Sequence, residues 1–249
     1  MSLSFAKPTT RTIIRTLIPI GTALLAFVVT GFLLLAGGFD PLEAYGLILQ
    51  GSVGGVREGG ETLVRTTSLL LTGLAVGFAF RCKIWNIGAE GQLYFGAIGA
   101  VVIALTVVGQ IPVFGIIIAI IFAMIFGAGW AAIAGVLKSR LGVNEIIVTV
   151  MLNFIAILFV DFLVHGALKA PGFEPQTALI PLTSQLPILI EGTRLHAGFL
   201  VAIAAAVLIY LILFKTKTGF SLRATGVNPK ASGYAGINVK RSILLTLLI

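Results

Sequence analysis

Five polar residues lie in or beside apolar segments of this sequence, at spacings that could support chemistry. They are Asn86, Glu90 and Gln92 in one short stretch, and Thr149 and Asn153 in another. A buried amide, hydroxyl or carboxyl group loses its water and needs a hydrogen-bond partner in return. The chemistry open to this set is therefore hydrogen bonding, either to neutral, hydroxyl-rich solutes moving along a path through the protein or to the protein itself.

The first stretch is a polar break between two apolar segments. The apolar run of residues 68–80 is shorter than the roughly 20 residues of a membrane-spanning helix, and the polar, glycine-rich residues 81–92 follow it. At membrane depth such backbone is tolerated only where protein or a water-filled cavity satisfies its N–H and C=O groups. In transporters, short interrupted segments indicate the substrate path. The alternative is an ordinary polar loop outside the bilayer, and both interpretations stay open.

The second stretch forms one face of a predicted helix. Glu145, Thr149 and Asn153 follow one another at intervals of four residues, which places them on one side of an α-helix. A polar face inside a membrane costs free energy unless it meets protein or water, so one interpretation is that it lines a translocation path. The other, which we favour, is that Glu145 stabilises the helix start while Thr149 and Asn153 hydrogen-bond to neighbouring helices.

Enzyme motifs are missing from the sequence. No Walker A, H-E-x-x-H or G-x-S-x-G pattern occurs, so we expect no catalytic residue, no ATP binding by this chain itself and no cofactor. The single cysteine, Cys82, excludes an intrachain disulfide and a cysteine metal cluster. We therefore expect a chain that is not an enzyme and holds no metal.

The composition is that of a membrane protein. Hydrophobic residues make up 58% of the chain and charged residues 10%, with a mean hydropathy of +1.10, whereas soluble proteins carry about 25% charged residues. The apolar runs predict one all-α, polytopic membrane domain over residues 1–249, with complete transmembrane segments at about 17–36, 63–80, 93–108, 113–137, 144–167 and 197–214. Residues 242–249 resemble the first turns of a seventh span, so we expect a fragment of a longer protein.

The distribution of basic residues predicts the orientation. If the N-terminus is cytoplasmic, 13 of the 17 lysines and arginines fall on the cytoplasmic side. This asymmetry satisfies the positive-inside rule and accounts for the formal net charge of +8 without nucleic acid. It also places Arg81 and Lys83 at the cytoplasmic side. We therefore expect the break to begin at that face and residues 86–92 to dip into the protein.

A short helix is predicted in the basic loop after the sixth segment. Asn228 suits the N-cap, Pro229 the first helical position, and Gly236 the position just past the helix end. A helix of roughly two turns is marginal alone in water, so it needs a surface to pack on. A separate protein partner is the obvious candidate. The alternative, a helix lying on lipid, is weakened by Gly233 and by a very small apolar face.

Three stretches together resemble one protein family. They are Asn86-Ile-Gly-Ala-Glu-Gly-Gln92, Asn144-Glu-Ile-Ile-Val-Thr-Val-Met-Leu-Asn-Phe-Ile-Ala156 and Arg223-Ala-Thr-Gly-Val-Asn-Pro-Lys-Ala-Ser-Gly-Tyr-Ala-Gly-Ile237. In combination they look like the permease subunit of bacterial ABC importers. The resemblance is to the branched-chain amino acid and ribose permease superfamily, in its simple-sugar and nucleoside branch, and it covers about residues 38–249.

The resemblance implies an assembly in the bacterial cytoplasmic membrane. Two permease subunits would form the pore, a pair of cytoplasmic ABC ATPases would drive alternating access, and an extracytoplasmic binding protein would deliver a nucleoside or simple sugar. The loop at residues 223–237 would be the coupling helix that seats in a groove of the ATPase. Its expected coupling residues are Arg223, Asn228, Pro229, Lys230, Tyr234 and Gly236. Members of the family are usually longer, with further spans after residue 249.

Two other functions remain as alternatives. A secondary carrier driven by an ion gradient would need paired acids within the membrane, for which Glu90 and Asp161 are the candidates. A membrane-embedded lipid-modifying enzyme would need clustered Asp, His or Ser in catalytic spacing, which the sequence lacks. Both are weaker than the importer permease.

Overall fold

The structure is a computed structural model that describes residues 10–249, with side chains for residues 17–106 and 108–249. This part of the chain is helical apart from irregular connections and one isolated bridge between Ile188 and His196. Lys7 and the side chains of Arg11 and Arg15, which we expect at the cytoplasmic face, lie outside the described residues. The predicted all-α class is confirmed.

Ten α-helices follow one another in residues 10–249. They are α1 (Thr10–Ala36), α2 (Pro41–Val53), α3 (Val56–Arg81), α4 (Ala89–Ala104), α5 (Phe114–Leu141), α6 (Glu145–His165), α7 (Gly198–Lys215), α8 (Lys217–Val227), α9 (Pro229–Tyr234) and α10 (Val239–Leu248). Single 3₁₀ turns occur at Val107–Gln110 and Leu182–Ser184. Helix α3 starts earlier than the predicted segment, which began at about residue 63. Its first turns are helical but polar, so the apolar run did not include them.

Five helices are long and apolar enough to cross a membrane, judged by length and composition: α1, α3, α5, α6 and α7. Helix α4, which we expected as a complete span, is apolar but has 16 residues. At 1.5 Å per residue it is about 24 Å long, against a hydrocarbon core of about 30 Å. The helices fit a multi-pass membrane protein, whereas six complete spans and the start of a seventh stay a prediction.

The chain divides into two compact units, Met1–Thr62 and Leu63–Ile249. In the first unit Asp40 caps α2 by accepting hydrogen bonds from backbone N–H groups of the first turn, and Pro41 is the first helical residue. The second unit contains the polar break and the loop with the predicted short helix. A single membrane domain over residues 1–249 remains a prediction.

Helix α5 is the one against which much of the second unit packs. A Cβ added at Gly127 would meet the carbonyl oxygen of Gln92 on α4 at 3.2 Å, and one added at Gly135 would meet Leu244 on α10 at 2.8 Å. Gly127 and Gly135 thus permit close helix approach, whereas a Cβ added at Gly129 would meet nothing within 4 Å.

A helix that the sequence did not predict, α8, occupies the loop after α7. It begins after Thr216, whose hydroxyl oxygen accepts a hydrogen bond from the Gly219 N–H at 3.1 Å. Helix α9 follows directly after Asn228. The predicted short helix is therefore not isolated in its loop, because α8 joins it to the end of α7.

Candidate functional site

The break between α3 and α4 is short, and one side of it is buried. Helix α4 begins at Ala89. Its first turn, rather than the loop, therefore contains Glu90 and Gln92. Every second residue of the loop is buried: Cys82, Ile84, Asn86 and Gly88. Asn86 is only 2% exposed. The loop therefore has one side in the protein interior and the other exposed.

Asn153 on α6 binds the backbone of the break with both ends of its side-chain amide. Its Nδ2 donates to the carbonyl oxygen of Ile87 at 2.8 Å, and its Oδ1 accepts from the N–H of Gly91 at 2.9 Å. These groups are 62 and 66 residues away along the chain. One side chain thus holds the end of the break and the start of α4 against α6.

Thr149, one turn earlier on α6, binds the same part of the break. It is 1% exposed. Its hydroxyl donates to the Glu145 carbonyl oxygen at 2.7 Å and accepts a longer hydrogen bond, at 3.3 Å, from the N–H of Ile87. The polar face of this helix therefore meets backbone groups of the break, and through Asn153 it also reaches the first turn of α4.

Two glycines allow this close packing. The side-chain oxygen of Asn86 accepts a hydrogen bond from the Gly88 N–H at 2.9 Å. A Cβ at Gly88 would lie 3.1 Å from the Cβ of Thr149, and one at Gly91 would lie 2.9 Å from the Oδ1 of Asn153. The glycines of the Asn86–Gln92 stretch thus leave room for the two polar side chains of α6.

An ion pair joins the end of α5 to the start of α6, at the end of the site that the sequence predicts to be cytoplasmic. The Nζ of Lys138, at the end of α5, lies 2.7 Å from the Oε2 of Glu145 at the start of α6. The side chains are 31% and 11% exposed, so the pair is partly shielded from water. The backbone amide of Trp85 in the break interacts with the same carboxylate. Glu145 therefore links α5, α6 and the break.

The five polar candidate side chains differ in how many hydrogen bonds they already make within the protein. Asn86, Thr149 and Asn153 use their polar groups in the hydrogen bonds described above. Gln92 is half-buried, and its Nε2 lies 3.5 Å from the Oδ1 of Asn86, at the limit of a hydrogen bond. Glu90 is exposed. The structure brings the two predicted polar stretches together around Ile87 and Gly91, and it leaves Glu90 at their edge.

The ends of α9 lie where the sequence predicts them. The side-chain oxygen of Asn228 accepts a hydrogen bond from the Ala231 N–H at 3.0 Å, and Pro229 is the first helical residue. At the other end Gly236 has a φ of +81°, and the N–H of Ile237 donates to the Ser232 carbonyl oxygen at 3.0 Å. This is the left-handed helix end that favours glycine.

The side chains around α9 divide into exposed and packed groups. Lys230 is exposed and Tyr234 is 94% exposed, so both are available to a partner. Arg223 on α8 is instead half-buried, with its guanidinium carbon 5.1 Å from the centre of the Phe214 ring on α7. The structure therefore presents a small helix with an exposed surface, attached through α8 to the membrane helices.

The long apolar helices, the buried polar break and the capped helix in a basic loop define a multi-pass membrane protein with a short exposed helix beside its long apolar helices. A family described as "Branched-chain amino acid transport system / permease component" matches residues 60–249. The chain belongs to this permease family.

Three relatives match almost the whole chain. The guanosine ABC transporter permease protein NupP of Bacillus subtilis is 36% identical over 94% of this chain and 68% of its own length. The nucleoside ABC transporter permease protein NupB of Lactococcus lactis is 32% identical over 94% of this chain and 67% of its own. The glucose ABC transporter permease protein TsgB13 of Haloferax volcanii is 33% identical over 93% and 63%. The chain thus spans about two thirds of the length of these relatives, and no solved structure matches it.

Proposed function

We propose that this chain is the permease subunit of an ATP-driven ABC importer that translocates a nucleoside or a simple sugar. The observation that carries this proposal is the match to the permease family over residues 60–249. The names of the relatives, which specify guanosine, nucleosides and glucose, support the substrate class. Since the sequence has no Walker A pattern, ATP hydrolysis belongs to a separate subunit.

The partners follow from the same proposal. A second permease subunit completes the pore, an extracytoplasmic binding protein delivers the substrate, and a pair of cytoplasmic ABC ATPases docks on α9. The exposure of Lys230 and Tyr234 supports this docking. Asn228, Pro229 and Gly236 shape the helix, and Arg223 anchors it to α7 through α8.

Reversing the charge at Lys230 in a Pro229→Gly background is expected to uncouple the ATPase. The double variant loses a cap-adjacent proline and a docking cation, so ATP-driven uptake of guanosine or glucose should fall by at least about tenfold. The measurement uses the full-length permease reconstituted with its ATPase and binding protein, with uptake and ATP hydrolysis recorded together.

Lys240→Glu on α10 is the matched control, because it reverses an equally exposed lysine outside α9. It should leave uptake close to that of the unmodified protein. Normal ATP-coupled uptake by the Pro229→Gly, Lys230→Glu variant would remove α9 from the docking role. Uptake that persists without ATP would contradict the importer class itself.

We also propose a translocation path beside the contact of α4 with α6. The candidates remain Asn86, Glu90, Gln92, Thr149 and Asn153. Three of them hold the break in position through hydrogen bonds, so their contribution is to shape the path. Glu90, which is exposed, and Gln92, which makes one long contact, are the side chains free to meet a passing solute.

The arrangement in the membrane is part of the proposal. We propose six complete spans, with α4 as the third, and α10 as the start of a seventh, in one permease domain of a bacterial cytoplasmic membrane. The N-terminus and the α8–α9 loop lie in the cytoplasm, as the distribution of basic residues indicates. The loop between α6 and α7 lies outside.

Labelling with a membrane-impermeant maleimide is expected to report this orientation. The native Cys82 is buried, and this desolvation raises the pKa of its thiol, so the unmodified protein should label slowly at neutral pH. Lys217→Cys should label in inside-out vesicles only, and Phe173→Cys, at a fully exposed position, in intact cells only. The opposite pattern would invert the topology, and fast labelling of the unmodified protein would show that the break is open to water.

A further inference from the structure

The backbone of α8 lies directly against the backbone of the polar break. A Cβ added at Gly226 would overlap the carbonyl oxygen of Cys82 and would lie 2.5 Å from its carbonyl carbon and 3.1 Å from its Cα. Both partners of this contact are backbone, which cannot swing aside as a long side chain can. Gly226 is therefore the residue that lets α8 reach the break.

A small apolar cluster fixes the two segments beside this contact. Leu222, one turn before Gly226 on α8, is 1% exposed and packs with Phe78 and Cys82 at the end of α3 and with Leu213 on α7. A buried cluster of this kind is close-packed and moves as a unit. Displacement of α8 therefore acts directly on the first residue of the break.

The other end of the break is held by α6. Asn153 and Thr149 bind the backbone of Ile87, and Asn153 also binds Gly91 at the start of α4. Only residues 83–86 lie between the contact with α8 and these hydrogen bonds. A displacement at Cys82 thus reaches the contact of α4 with α6 through only these four residues.

A cavity of about 190 Å³ beside the contact leaves room for movement. Its lining includes Lys83 and Ile84 of the break, Thr225 of α8 and Thr246 of α10. The hydroxyl of Thr225 is buried and has no hydrogen-bond partner among the described residues. Packing between α8 and the break is therefore tight on one side and open on the other.

We propose that Gly226 is a positioning residue for transport, and that the Cys82–Gly91 segment carries the motion of α8 and α9 to the contact of α4 with α6. ATPase movement at α9 shifts α8, the contact of Gly226 with Cys82 displaces the break, and Asn153 and Thr149 pass this displacement to α6. This inference rests on the proposed function, since it assumes that the ATPase docks on α9.

Gly226→Ala is the test, measured in the reconstituted complex of full-length permease, ATPase and binding protein. The methyl group has to push α8 away from Cys82, so the ATP hydrolysed per substrate molecule taken up should rise by at least about tenfold, within the range of site-to-site coupling. The ATPase should still co-purify with the permease, because α9 is unchanged. Gly77→Ala on α3, where an added Cβ would meet nothing within 4 Å, is the matched control and should keep normal coupling.

The outcomes separate this inference from the proposed function. Normal coupling in Gly226→Ala overturns the inference alone, and so does loss of ATPase co-purification, which would mean that Gly226 only shapes the docking surface. If Gly226→Ala fails to assemble, Leu222→Val is measured instead, because it removes one methylene from the apolar cluster beside Cys82. The ratio of ATP hydrolysed to substrate taken up then decides the question. Normal coupling in the Pro229→Gly, Lys230→Glu variant would instead count against docking on α9.

Discussion

Asn153→Leu is expected to destabilise the folded permease by about 1–3 kcal/mol, since it removes the partners of the Ile87 carbonyl and of the Gly91 N–H, the second of which is partly buried. Leucine has nearly the same size, so packing changes little and the loss reports the hydrogen bonds. Thr149→Val removes the longer hydrogen bond to Ile87 and the bond of the hydroxyl to the Glu145 carbonyl of its own helix, and should cost about 1 kcal/mol. The measurement is thermal unfolding in detergent, with hydrogen exchange of residues 84–92 as the local readout.

Glu90→Gln is the matched comparison for that pair. Glu90 is exposed at the edge of the same site, so the Glu90→Gln variant should be as stable as the unmodified protein. Any change in its uptake, or in the dependence of uptake on substrate concentration, then indicates that Glu90 lies on the path. Normal uptake would remove Glu90 from the path. A stability of Asn153→Leu within about 0.5 kcal/mol of the unmodified protein would mean that α6 does not hold the break.

Local sequence signals specify several helix starts, and the start of α9 was predicted from them. Asp40 caps α2, Asn144 caps α6 by accepting a hydrogen bond from the Ile146 N–H, and Asn228 caps α9. Each of these interactions joins residues two or three apart, so the sequence contains all of its parts. The spacing that places Thr149 and Asn153 on one helix face is local in the same way.

The partners of that polar face could not be predicted in the same manner. Asn153 binds Ile87 and Gly91, more than sixty residues away, and no pattern within either stretch specifies the other. The glycines at positions 88 and 91 are the one sequence feature of the break that relates to this contact, because they provide the space for Thr149 and Asn153. Read alone, they indicate only a flexible break.

Helix α8 was missed because its glycines argue against a helix. Gly219 and Gly226 each lower helix propensity by about 1 kcal/mol relative to alanine. Both are required by tertiary contacts, with the α7 carbonyls at Gly219 and with Cys82 at Gly226. Propensity was overridden here by close backbone packing, which only the folded chain reveals.

Removing one member of the Lys138–Glu145 ion pair is the second change expected to have a large effect. Lys138→Met leaves the carboxylate of Glu145, whose side chain is 11% exposed, without its cation at 2.7 Å. Because Lys138 is itself 31% exposed, water screens part of the loss, and we expect a cost of about 1–2 kcal/mol, below that of a fully buried pair. Arg140→Met, an exposed cation in the same last turn of α5, is the control and should cost far less.

The double variant Lys138→Met, Glu145→Gln distinguishes a true pair from two independent contributions. With both charges gone no unpaired charge remains, so the double variant should be more stable than the sum of the single changes predicts. Glu145→Gln leaves the hydrogen bonds of Thr149 and Asn153 in place, so the break should stay attached to α6. Additive losses in thermal unfolding would show that α5 and α6 are joined there by packing rather than by charge.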